Sequence, residues 1–542
     1  MLEVIFAALL VVSAPDSSGN GWTAVRSDLD VYPDFAAKTV HVHGRLRLKL
    51  DISSSMGPSL RLGHDLTPFV RNPTSFMEFA SANAPDADVR LNRAGDKPGI
   101  VFADVRFPNA RSRGSEVVVE YDAKMVNPSF EFVITDSVAM GADDMGWYAR
   151  AAAAGAWVPT IDPTPGITRV HVPDRWFSLA TGAFVSRVRE NDGWVESWRQ
   201  NISRARSFVA GPYKLSTRRI GSMDVRMYGL TSAMNPDTLV SNVAGIIKTL
   251  SSRYGPYPYS KYAAAEFPDS AVRWWGDALA DFQVLRTSLL ESTHGGFASI
   301  AHEIGHAWWG NRVSPAWPGG YMVTEAMANY STMLALEGLY GKARYERSLS
   351  VDESGGPPDY TIANHFRMIA QGKDIALSHL SQGGIEYQIA SVKGPRVYHM
   401  LRREVGDRIF FNTLKNLIVE HGGGTLSLGE MRAAFVAAAP RKHLKQFFEQ
   451  WLDRTGAPAF GTQLSCDGAG SKRMTRLTLT QTQPGDAYVL SMVVELTGSA
   501  TALQRRVPIT GKNVVVEISG SECYTAVTLD PDHDLFIRRS EY

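Results

Sequence analysis

Three observations predict an α+β multidomain chain. Short runs with alternating apolar residues, broken by Gly, Pro, Asp and Asn, fill residues 22–215. Apolar residues at helical spacing dominate 216–455, and short strand-like runs return over 456–542. At 542 residues the chain has room for about three domains, each with its own core.

The elements follow in chain order. Val4 to Ala14 is apolar and ends in the small residues Val12, Ser13 and Ala14, as a signal peptide does. The chain starts Met-Leu-Glu with no positive charge, and Pro15 is a poor residue after a cleavage point. Residues 1–21 therefore read as a signal or a disordered segment. Export to a periplasmic or extracellular space is favoured over a cytoplasmic location. Val40 to Leu50 and Ser115 to Tyr121 alternate with a period near two and read as strands. Asp237 to Leu250 has helical spacing and stops at Gly255-Pro256. Further helices are expected over 297–309, 325–340, 390–406, 428–435 and 443–452. Arg476 to Gln481, Tyr488 to Leu496 and Val514 to Ile518 read as strands. The two cysteines, Cys466 and Cys523, both lie in this last part, either as a disulfide or as two buried thiols.

The chemistry concentrates in Ala301 to Gly310. His302 and His306 stand four apart, so on a helix both face one side and can hold one metal ion. Glu303 lies beside them, where a carboxylate serves a bound water as general base. Catalytic zinc keeps three protein ligands and an open position, so a third ligand must come from elsewhere. Glu325, opening the apolar run to Tyr340, suits that role and completes a two-His, one-Glu set for one Zn²⁺ per chain. The competing reading is a core helix whose histidines make ordinary hydrogen bonds. The apolar surroundings argue against it, because buried charge must be paired or bind metal.

His302-Glu-Ile-Gly-His-Ala-Trp-Trp-Gly-Asn311, followed by Thr324-Glu-Ala-Met-Ala-Asn-Tyr330, resembles the gluzincin aminopeptidases. Tyr254 to Tyr262 resembles the segment that precedes the active site in that family. Val392-Lys393-Gly394 with Met400, Leu401 and Gly406 resembles its Tyr-Glu-Lys-Gly helix, and residues 32–50 its first β-domain. The resemblance implies an N-terminal β saddle domain (22–215), a thermolysin-like, mainly helical zinc domain (216–455) and a small C-terminal β-sandwich (456–542). It also implies hydrolysis of peptide bonds.

Three departures qualify that implication. Where the family carries Gly-x-Met-Glu-Asn, whose Glu binds the substrate amine, this chain has Ser270 to Gly276, with Arg273 at the Glu position. Arginine cannot lose its charge and grips carboxylates in bidentate fashion. Arg273, with Trp274 and Trp275 beside it, is therefore the candidate substrate-binding group. An alternative alignment leaves Glu266, Asp269 or Asp277 as the amine anchor. The family's oxyanion-stabilising Tyr becomes Ser391. Tyr387, one helical turn earlier, can replace it or be a packing aromatic, with His365, His379 and Arg273 as other donors. The first-domain residue that meets the substrate N-terminus has no clear match near Asp143 and Asp144. The leading expectation is thus a zinc metallopeptidase with altered substrate recognition. A zinc hydrolase of a small molecule and a non-catalytic zinc- or peptide-binding homologue are the alternatives.

The ordinary composition and net charge of +1 do not suggest a nucleic-acid partner, which usually needs a basic face, and no run reaches the roughly 18–20 apolar residues of a membrane span. The expected partner is a peptide. The oligomeric state is open.

Overall fold

Every second side chain of the strand Thr39–Leu50 points into a core: Val40, Val42, Leu46, Leu48 and Leu50 are buried, while Arg45, Arg47 and Lys49 are exposed. That strand lies in a seven-stranded sheet ordered Ala183–Glu190, Gly193–Gln200, Gly166–Pro173, Trp22–Asp34, Thr39–Leu50, Glu116–Val126 and Phe76–Asn83. All its pairings are antiparallel except that of Trp22–Asp34 with Gly166–Pro173. The structure, a computed structural model, describes residues 22–51, 58–63, 76–93, 101–126, 132–142, 150–153, 165–201, 206–271, 276–279, 281–291, 296–350, 360–470 and 473–539.

By backbone proximity the described chain forms two units, 22–244 with 258–303 and 245–257 with 304–539. The first holds the seven-stranded sheet and two four-stranded sheets. It also holds a five-stranded sheet ordered Lys214–Ile220, Met223–Gly229, Lys261–Phe267, Phe282–Arg286 and Gly276–Leu279. Lys261–Phe267 is buried at all seven positions and parallel to both neighbours. A strand covered on both faces shows no alternation, so its sequence carries no period-2 signal.

The helices are α1 (Pro236–Tyr254), α2 (Thr287–Glu291), α3 (Phe297–Gly305), α4 (Glu325–Tyr340), α5 (Lys342–Ser350), α6 (Ile362–Ala370), α7 (Gly384–Val405), α8 (Asp407–Glu420), α9 (Leu428–Ala438) and α10 (Leu444–Trp451). Among the described residues none is long and apolar enough to cross a membrane. Two boundaries differ from expectation. The α3 helix closes at Gly305 rather than Trp309, where the backbone opens into wider six-residue turns, the N–H of Asn311, Arg312 and Val313 donating to the carbonyls of His306, Ala307 and Trp308. The α7 helix starts at Gly384, so Tyr387 and Ser391 share one helix.

At the end of the chain, two three-stranded sheets share a core of Leu477, Leu479, Met492, Val494, Val507 and Ile518. This is the expected β-sandwich. Cys466 and Cys523 are joined by a disulfide.

Candidate metal and catalytic centre

The α4 helix is buried on all sides from Glu325 to Leu336, its few polar residues included, which makes it a central helix with no solvent face there. Its neighbours reach it through glycines. At Gly245 in α1 a Cβ would stand 2.6 Å from Leu339, and Gly305, at the end of α3, meets Ser331 and Ala328. Gly394 of α7 lies against Ala326 and Met322. A side chain at any of these points would push the helices apart. The Tyr254 hydroxyl meets Ser331 Oγ at 3.0 Å, and its ring stands edge-on to Trp308 and Trp309. Trp308 Nε1 donates to the Pro256 carbonyl at 3.2 Å.

This packing brings the metal-ligating candidates together. One ligand atom from each of His302, His306 and Glu325 lies within 4.8 Å of the other two. His306 Nδ1 is 3.0 Å from the Trp309 carbonyl, which can only accept, so Nδ1 carries the proton and Nε2 is left as the ligand atom. That Nε2 stands 3.7 Å from Glu325 Oε1. Ligands about 2.0–2.2 Å from a tetrahedral ion stand roughly 3.5 Å apart, so the donor set fits one zinc ion. Glu325 sits in the first turn of α4, where the helix dipole favours negative charge.

Glu303 is 8% exposed and occupies α3 beside His302. Tyr262 is fully buried nearby and donates to Gln283 Oε1 at 2.7 Å. Burial, and then the negative charge of Glu303, hold its phenol well above the ordinary range.

Tyr387 is half-buried on α7, its ring edge-on to Tyr321 at 5.8 Å and tilted against Tyr360 at 5.7 Å. Tyr321 stands four residues before Glu325, and burial, then the Glu325 carboxylate, raise its phenol pKa. Ser391 is buried. Pro395 has no N–H to give the Ser391 carbonyl, and Asn329 Nδ2 of α4 donates to it instead, at 3.3 Å.

Two of the three alternative amine anchors are engaged elsewhere. Glu266 is fully buried and accepts from Leu230 N at 2.8 Å, Thr231 N at 3.0 Å, Thr231 Oγ1 at 2.6 Å and Thr287 Oγ1 at 2.9 Å. Asp269 accepts from Arg286 Nε at 2.8 Å and Ser288 Oγ at 2.9 Å. Arg273, Trp274, Trp275, Asp143, Asp144 and the Asp277 side chain lie outside the described residues. His379 is exposed near Asp453. His365 is wholly buried, with Nε2 3.5 Å from Asp374 Oδ1. Burial, then the charges of Lys393 and Arg396, lower its pKa to about 3, so it is neutral at pH 7. Lys393 donates to the carbonyls of Arg454 and Gly456, which ties α7 to that segment.

Sequence reasoning passed over Tyr321, Tyr262 and Gly305. Only Tyr321 had a signal, an aromatic residue one helical turn before Glu325.

Residues 241–451 match the Peptidase family M1 domain. Over 226 residues the chain is 26% identical to aminopeptidase N of Lactococcus lactis, an alignment covering 39% of this chain and 25% of that protein. It is 25% identical over 318 residues to the thyrotropin-releasing hormone-degrading ectoenzyme of Rattus norvegicus, covering 52% and 28%. The chain thus spans about a quarter of the length of these relatives. Among solved structures, the M1 zinc metallopeptidase of Deinococcus radiodurans aligns with a TM-score of 0.60 at 16% identity, over 80% of this chain and 94% of that one. Legionella pneumophila aminopeptidase A, in complex with aspartic acid, aligns at 0.68 and 12%, over 97% and 60%. At these identities the structural likeness concerns the fold.

Proposed function

We propose that the chain is a divergent member of the gluzincin aminopeptidases, a zinc-dependent metallopeptidase that hydrolyses an amide bond in a peptide; the match of residues 241–451 to the Peptidase family M1 domain and the likeness to aminopeptidase N support this reading. The convergence of His302, His306 and Glu325 carries this reading. A zinc ion held there would polarise the scissile carbonyl and acidify the attacking water. Glu303 takes the proton from that water and passes it to the leaving amine. Tyr387 donates a hydrogen bond to the oxyanion in place of the residue lost at Ser391.

Recognition of the substrate differs from that of an ordinary aminopeptidase. Arg273 repels a free ammonium group and favours a carboxylate near the scissile bond, or a blocked N-terminus. The engagement of Glu266 and Asp269 with internal donors favours this over an amine anchor rebuilt from them. The Cys466–Cys523 disulfide suits an oxidising compartment and supports export.

A defined peptide pool, each member with a free and with an acetylated N-terminus, tests this by mass spectrometry. Cleavage of acidic or blocked peptides is expected. Trimming confined to free N-termini would discard the role given to Arg273. Failure to cleave any peptide would favour a small-molecule substrate or a binding role.

A further inference from the structure

Tyr321 is 2% exposed and occupies the short 3-10 turn Gly320–Met322, just before Glu325. Its ring stands edge-on to Trp317 at 4.8 Å on one side and to Tyr387 at 5.8 Å on the other. Its hydroxyl donates to the Gly383 carbonyl at 3.4 Å and accepts from the Gly383 N–H at 3.3 Å. Gly383 is the N-cap of α7, in extended conformation, and makes no side-chain cap. Its carbonyl also accepts the first helical bond, from the Tyr387 N–H at 2.9 Å. The orphan N–H groups at a helix start need partners, and the phenol supplies one of the missing contacts from another segment.

We propose that Tyr321 is the positioning residue for Tyr387, gripping Gly383 with its hydroxyl and Tyr387 with its ring so that the first turn of α7 is fixed against the segment carrying Glu325. The proposal rests on the reading of Tyr387 as the oxyanion donor. A tyrosine on the first turn of a helix with no side-chain cap would otherwise fray with that turn. Loss of a fixed donor weakens stabilisation of the transition state even when the donor itself remains.

Tyr321→Phe keeps the ring and removes the hydroxyl. In the zinc-loaded full chain, amide exchange over 383–387 is expected to quicken by about fivefold to tenfold, the scale of one lost hydrogen bond. The turnover number is expected to fall by a similar factor, with KM and zinc content unchanged. In a Tyr387→Phe background, Tyr321→Phe is expected to bring no further loss, because it acts through Tyr387. Unchanged exchange over 383–387 overturns the proposal whatever the activity, and so does an additive loss in the double variant. Faster exchange with Tyr387→Phe fully active would support the clamp while removing Tyr387 from the mechanism, which separates failure of the two ideas.

Discussion

Replacing Glu303 by glutamine is expected to leave zinc bound and to lower turnover by roughly 10²–10⁴-fold, the usual worth of a positioned general base. Glutamine has nearly the same shape, and its amide cannot take a proton at neutral pH. Glu303 is not one of the three converging ligand groups, so the metal content should stay near that of the wild type. The residue is buried on α3 beside His302, and the substitution removes a buried charge without opening a cavity. The fold should therefore tolerate it. Measuring kcat and zinc content together separates the outcomes. Retained turnover would remove Glu303 from the mechanism. Loss of zinc along with activity would make it a ligand or a structural prop instead.

Substituting Gly305 is expected to damage the site from a distance. A Cβ there would stand 2.8 Å from Ser331 Cβ and 3.2 Å from Ala328 Cα. Ser331 cannot swing away freely, because its hydroxyl donates to the Met327 carbonyl at 2.7 Å and meets Tyr254 at 3.0 Å. Gly305→Ala must therefore shift the end of α3 against α4, at a cost of about 1–3 kcal/mol. His306 is the next residue and Glu325 starts α4, so the shift separates two of the three ligands. Zinc affinity is expected to fall by about 10–100-fold, on the scale seen when support for a ligand is lost. Adding Ser331→Gly removes the nearest obstruction and should recover part of both losses. Wild-type zinc affinity in Gly305→Ala would show that this contact does not set the ligand spacing.

The legible parts of the protein are those whose signal is local. His302 and His306, four residues apart at the end of α3, turn their ligand atoms to one point, and Glu325 to Tyr340 runs as α4 over the expected span. The alternation in Val40 to Leu50 announces its strand for the same reason. Contacts between distant segments leave no such trace. Nothing in Gly305 or Ser331 taken alone says that they touch, nor that Tyr321 reaches Gly383. Lys261–Phe267 is silent because both its faces are buried. The α8 helix is legible but easily overlooked. Phe410, Phe411, Leu414, Leu417 and Ile418 are buried at helical spacing, yet Gly406 reads as the close of the preceding motif.

The most direct test of a one-zinc peptidase is a titration. The chain is stripped by a chelator, and cleavage of the peptide pool is followed as zinc is added back. Expected is no cleavage without metal, and a rise that is linear to one equivalent per chain and then flat, with Glu303→Gln binding the same equivalent and staying inactive. Full cleavage by the stripped protein, or a rise that ignores the one-equivalent point, would contradict a centre built from His302, His306 and Glu325.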